Sequence, residues 1–67
     1  MTKFAERLKE LRLEKGLSQR ELASKTGISQ NAIAFWENEK RVPNANAVAT
    51  LAIFFGVSAD YILGLEN

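Results

Sequence analysis

The sequence predicts an all-α fold of five short helices. Apolar residues recur at helical rather than alternating spacing, and Ala, Leu, Glu and Lys dominate the segments that carry them. The third observation is punctuation: Gly16, Gly27, Gly56 and Gly64 each follow such a segment, and Ser18, Ser29 and Ser58 come shortly after three of them. Each glycine suits a helix C-terminal cap, where positive φ is needed. Each serine, and Asn44 after Pro43, suits an N-cap whose side-chain oxygen accepts from an otherwise unpaired backbone N–H.

The first helix is predicted over about 3 to 15, with Thr2 as its cap and Phe4, Leu8 and Leu11 sharing one face. The second, about 19 to 26, has the clearest start, since Ser18-Gln19-Arg20-Glu21 has the capping-box pattern. The third spans about 30 to 38 with Ile33 and Trp36 inward. After the loop Glu39-Lys40-Arg41-Val42-Pro43, a fourth spans about 45 to 55, with Val48, Leu51, Ala52 and Phe55 as its apolar stripe. A fifth, about 59 to 63, returns Tyr61 and Ile62 to the core. No repeat, low-complexity tract or linker divides the chain, so residues 1–67 are read as a single domain.

A chain of 67 residues buries one modest core and has no room for a substrate cleft between lobes. Cysteine and histidine are both absent, which removes disulfides, thiolate chemistry, the usual zinc sites and imidazole catalysis. The carboxylates and serines stand without a base, a metal cluster or a phosphate-cradling loop, so an enzyme is not expected, nor any cofactor or small-molecule substrate. No apolar run approaches the roughly 20 residues of a membrane span, and the N-terminus lacks a signal peptide's apolar stretch. A cytoplasmic protein without a membrane partner is the expectation. The net charge of +1 says little about nucleic acid, so the distribution of charge has to decide that question.

The informative stretch runs from Gln19 to Trp36, where two short helices flank the turn Thr26-Gly27-Ile28-Ser29. Ala23 sits where the helices would cross and a larger side chain would hold them apart. Gly27 sits where the chain must turn sharply, and Leu22, Ile28, Ile33 and Trp36 fall on the buried side of the pair.

Taken together, Leu17-Ser18-Gln19-Arg20-Glu21-Leu22-Ala23, Gly27-Ile28-Ser29-Gln30, Ile33, Trp36-Glu37-Asn38, Lys40-Arg41-Val42-Pro43, Leu51-Ala52 and Phe55-Gly56-Val57-Ser58 are spread over residues 17–58. In this combination the sequence resembles the phage repressor and Cro type of helix-turn-helix domain, the XRE-like regulators of bacteria and phages. The resemblance implies a five-helix lambda-repressor-like DNA-binding domain with its motif at about 18–38, acting as a transcriptional regulator, a repressor, on double-stranded DNA. The helix at about 30–38 would then enter the major groove by its N-terminal end.

Gln30 and Asn31 are thereby expected to face base edges, where an amide presents a donor and an acceptor side by side to adenine. Phe35, one turn further along, departs from the polar residue common in the family. It meets a thymine methyl, lies in a protein contact, or folds back onto the core. Gln19 is expected to contact a phosphate by its side chain or its backbone N–H, Ser29 to cap its own helix and reach a phosphate, and Lys40 and Arg41 to clamp the DNA backbone with help from Asn38. By the same resemblance Arg12 and Glu37 form an ion pair joining the first helix to the end of the third. Glu39 stands where the family commonly has glycine. Either the helix end is rebuilt so that Glu39 points away, or Lys40 and Arg41 offset its charge.

One recognition helix reads only a few base pairs, so a homodimer, at least on DNA, on two-fold-related half-sites is expected. Its expected surface is Val57, Tyr61, Leu63 and Leu65. The rival reading is an antitoxin or adaptor that uses the same fold mainly for protein binding.

Overall fold

Cap chemistry sets where the helices begin. In the computed structural model, which describes residues 3–66, the chain forms α1 (Phe4–Glu14), α2 (Gln19–Thr26), α3 (Gln30–Glu37), α4 (Ala45–Phe55) and α5 (Ala59–Leu63). No strand occurs among the described residues. Ser18 Oγ accepts from the Glu21 N–H at 3.0 Å, and the Glu21 carboxylate accepts from the Ser18 N–H at 2.9 Å, which completes the capping box. Ser29, Asn44 and Ser58 accept in the same way from the N–H groups of Ala32, Ala47 and Tyr61. α1 begins differently: its N-cap is Lys3, whose side chain makes no capping bond. The cap expected at Thr2 falls outside the described residues. Two helices are shorter than expected, α1 ending at Glu14 and α3 at Glu37, with Asn38 as the α3 C-cap.

Each helix supplies one fully buried aliphatic side chain: Leu8, Leu22, Ile33, Leu51 and Ile62. Truncating any of them to alanine costs roughly 2–5 kcal/mol, a large share of the stability of a domain this small. Phe4 meets Trp36 edge to face at 6.0 Å, closing the core beside α3. The expected stripe of α4 is buried at Val48, Leu51 and Ala52, whereas Phe55 is half-buried against Phe54.

α3 lies against both α1 and α2, and α5 returns to α1 and α4. The return is fastened by the Lys3 N–H, which donates to the Leu63 carbonyl at 3.3 Å, and by Arg7. Arg7 donates to the carbonyls of Tyr61 at 2.8 Å and Glu66 at 3.1 Å, and its guanidinium lies 4.2 Å from the centre of the Tyr61 ring. Gly64 beside it has φ +81°, and a Cβ there would stand 2.7 Å from Lys3 Cβ. Both conformation and space therefore demand glycine.

Candidate nucleic-acid interface

The turn between α2 and α3 is built from backbone and one hydroxyl. Gly27 takes φ +77° and its N–H donates to the Ala23 carbonyl at 2.9 Å, ending α2 in a left-handed residue. Thr26 Oγ1 donates to the Leu22 carbonyl at 2.8 Å and accepts from the Ile28 N–H at 3.3 Å. Ala23 and Ile28 pack against the core at this corner. α3 is thereby held with its first residues, Gln30 and Asn31, exposed.

The sequence of α3, Gln30-Asn31-Ala32-Ile33-Ala34-Phe35-Trp36-Glu37, contains one charge, and that charge is turned inward. Glu37 accepts from Arg12 Nε at 2.7 Å and from Arg12 Nη2 at 2.9 Å, a two-point ion pair between α1 and the end of α3. Arg12 also donates to the Leu17 carbonyl at 2.7 Å and is only 8% exposed. Donating to the Glu37 carboxylate holds the Arg12 pKa above its ordinary value; burial opposes this and the charge of Glu37 assists it. The exposed surface of α3 is left free of negative charge, and its N-terminus carries the positive end of the helix dipole.

Gln19 stands nearby at the start of α2, half-buried, with its side-chain amide donating to Glu37 Oε1 at 3.1 Å. The sequence did not anticipate this bond, which spans 18 positions and depends on how α2 meets α3. The amide retains a second hydrogen, and the backbone N–H of Gln19 belongs to the first turn of α2, so both donors considered for a phosphate remain.

Beyond α3 the helix end keeps the geometry that glycine favours, with a glutamate in it. Glu39 has φ +59°; its N–H donates to the Trp36 carbonyl at 3.1 Å and the Lys40 N–H donates to the Phe35 carbonyl at 2.8 Å. These are the two bonds of a Schellman motif. Of the two outcomes foreseen for Glu39, the helix end is not rebuilt. The residue borders a small cleft with Phe4, Ala5, Trp36 and Arg41, while Lys40 and Arg41 follow in exposed positions.

Phe35 does not fold back into the core. It is 38% exposed, and the Arg41 guanidinium lies 4.9 Å from the centre of its ring. Ser29, Asn31, Phe35 and Arg41 border one shallow groove together with Val42 and Asn44. Val42, 87% exposed, and Asn44, the N-cap of α4, line this groove too, and neither is among the contact residues expected from the sequence. Of the expected dimer residues, Leu65 is 68% exposed, whereas Val57, Tyr61 and Leu63 are partly buried against the core. α4 adds an exposed Ile53 that was not anticipated. No group of carboxylates that could hold a metal ion occurs among the described residues, and no helix is long and apolar enough to cross a membrane.

Residues 5–67 match a family of helix-turn-helix domains, and the chain belongs to that family. It is 38% identical over 64 residues to the HTH-type transcriptional activator BcrR of Enterococcus faecalis, covering 96% of this chain and 31% of that protein. It is 37% identical over 64 residues to the HTH-type transcriptional regulator ImmR of Bacillus subtilis, covering 96% and 50%. To the cryptic phage CTXphi transcriptional repressor RstR of Vibrio cholerae it is 33% identical over 54 residues, covering 81% and 49%. The chain thus spans half or less of each of these relatives. A solved transcriptional regulator from Listeria innocua superposes with a TM-score of 0.88 at 25% identity, over 100% of this chain and 63% of that one.

Proposed function

We propose that this domain binds double-stranded DNA sequence-specifically, as part of a transcriptional regulator, with α3 in the major groove. The observation that carries the reading is the outward face of α3: Gln30 and Asn31 stand exposed at its N-terminus, and its one carboxylate is buried against Arg12. Gln30 and Asn31 read base edges by their paired donor and acceptor, and Phe35 approaches a thymine methyl. Gln19, Ser29, Asn38, Lys40 and Arg41 hold phosphates and fix the register. Positive charge gathered after α3 matters more here than the net charge of the chain.

Relatives of both signs, an activator and a repressor, share this segment. What the segment contributes is therefore the DNA contact. The protein acts in the cytoplasm, without catalysis, as two copies joined through Val57, Tyr61, Leu63 and Leu65 on half-sites about 34–36 Å apart.

Selection from a randomised duplex pool at low and moderate salt, for wild type and Gln30→Ala in parallel, tests the reading. A two-fold-related consensus that the variant relaxes at one position per half-site supports it. Absence of enrichment at both salts overturns it and points to a protein partner.

A further inference from the structure

We propose that Phe35 is a positioning residue for Arg41: its ring is a platform that holds the guanidinium beside α3, ready to meet a phosphate. This rests on the DNA-binding reading and extends it to how the loop after α3 is ordered.

The geometry begins in the backbone. The Lys40 N–H donates to the Phe35 carbonyl, folding the chain back over the last turn of α3. The next residue, Arg41, is thereby delivered to the ring of Phe35, with its guanidinium carbon 4.9 Å from the centroid, inside the reach of about 6 Å for a cation over an aromatic face. Both residues are exposed and both border the groove that runs from Ser29 and Asn31 to Val42 and Asn44.

A guanidinium carries five N–H donors, and the attraction of its charge to a ring uses no hydrogen-bond acceptor, so donors remain for phosphate oxygens. A loop arginine without a platform loses rotamer freedom when it grips a phosphate; one already held by a ring loses less. An aliphatic side chain at position 35 would fill the space without attracting the cation. The aromatic residue thus has a role that does not depend on which base lies opposite it.

The test is a double-mutant cycle on Phe35→Leu and Arg41→Ala. The probe is the duplex that wild type enriches from a randomised pool, prepared once with thymine and once with deoxyuridine. Phe35→Leu is expected to weaken binding about two- to fivefold more in the wild-type background than in Arg41→Ala, with either duplex. Phe35→Tyr recovers most of that loss. Arg41→Ala lowers the salt slope by about one, and Phe35→Leu lowers it by part of the same amount.

Equal losses from Phe35→Leu on both backgrounds overturn the proposal, as does a loss that vanishes with deoxyuridine, which would assign the ring to the methyl group alone. In the free protein the Arg41 Hδ protons are expected upfield in the NMR spectrum of wild type and at ordinary positions in Phe35→Leu; ordinary positions in both also overturn it. A wild type that enriches no duplex overturns the DNA reading and this proposal together, whereas binding with an additive cycle overturns this proposal alone.

Discussion

The guanidinium of Arg12 grips the carboxylate of Glu37 through two nitrogens, at 2.7 and 2.9 Å, and joins α1 to the last residue of α3. Both side chains are removed from water, 9% and 3% exposed, and Gln19 from α2 donates to the same carboxylate. Three helices therefore meet on one buried charge pair.

Removing one partner leaves the other charge buried without compensation. Glu37→Gln is expected to cost about 3–5 kcal/mol and to lower DNA affinity along with stability. Replacing both, as Arg12→Met with Glu37→Leu, is expected to cost less than either single change, because no charge is stranded. Thermal and urea unfolding of the three variants checks this, and an unchanged melting temperature in Glu37→Gln would count against it.

Glu39 holds a left-handed backbone that costs a side-chain-bearing residue roughly 1–2 kcal/mol, while glycine there loses roughly 0.5–1 kcal/mol in chain entropy. Glu39→Gly is thus expected to stabilise the domain by about 0.5–1 kcal/mol, raising the melting temperature by about 2–8 °C. It also removes a carboxylate beside Lys40 and Arg41, so DNA binding is expected to tighten, most at low salt. A lower melting temperature would show that the Glu39 side chain makes a contact worth more than its strain.

At Gly64 and Gly27 the same change to alanine separates two costs. Both have positive φ, but a Cβ meets nothing within 4 Å at Gly27 and meets Lys3 Cβ and N at 2.7 and 2.9 Å at Gly64. Gly64→Ala is expected to be the more destabilising of the two, by more than about 1 kcal/mol, since backbone must move. Equal losses in urea unfolding would mean that α1 and α5 can part there without cost.

The capping box makes a pH-dependent prediction. The backbone N–H of Ser18, then its hydroxyl, holds the Glu21 pKa below its ordinary value of 4.5. A depressed carboxylate contributes stability that is fully present above the unfolded pKa and disappears as the pH falls through the folded one. The advantage in melting temperature of wild type over Glu21→Gln is therefore expected to be full near about pH 6 and to shrink toward about pH 3. A difference that stays constant across this range would show that the charge of Glu21 adds nothing to the cap.

Much of the fold was legible because the signals act over a few residues. The bounds of α2, α4 and α5 followed from serine or asparagine at the start and from the residues around a glycine at the end. The ends of α1 and α3 moved by a residue because fraying and cap geometry set them, not periodicity. The Arg7 clamp is not legible in the sequence: its acceptors lie 54 and 59 positions away, and an arginine on an amphipathic helix reads as surface.

The five helices, the turn at Gly27 and the place of Gln30 and Asn31 at the start of α3 follow from the order of residues alone, since caps, turn conformations and apolar spacing are local properties of the chain. Only the tertiary structure decided that Gln19 joins Arg12 and Glu37, that Glu39 strains rather than rebuilds the end of α3, and that Phe35 stays at the surface under Arg41. Those outcomes depend on which side chains meet across elements and on what water is excluded between them, and no run of neighbouring residues contains that information.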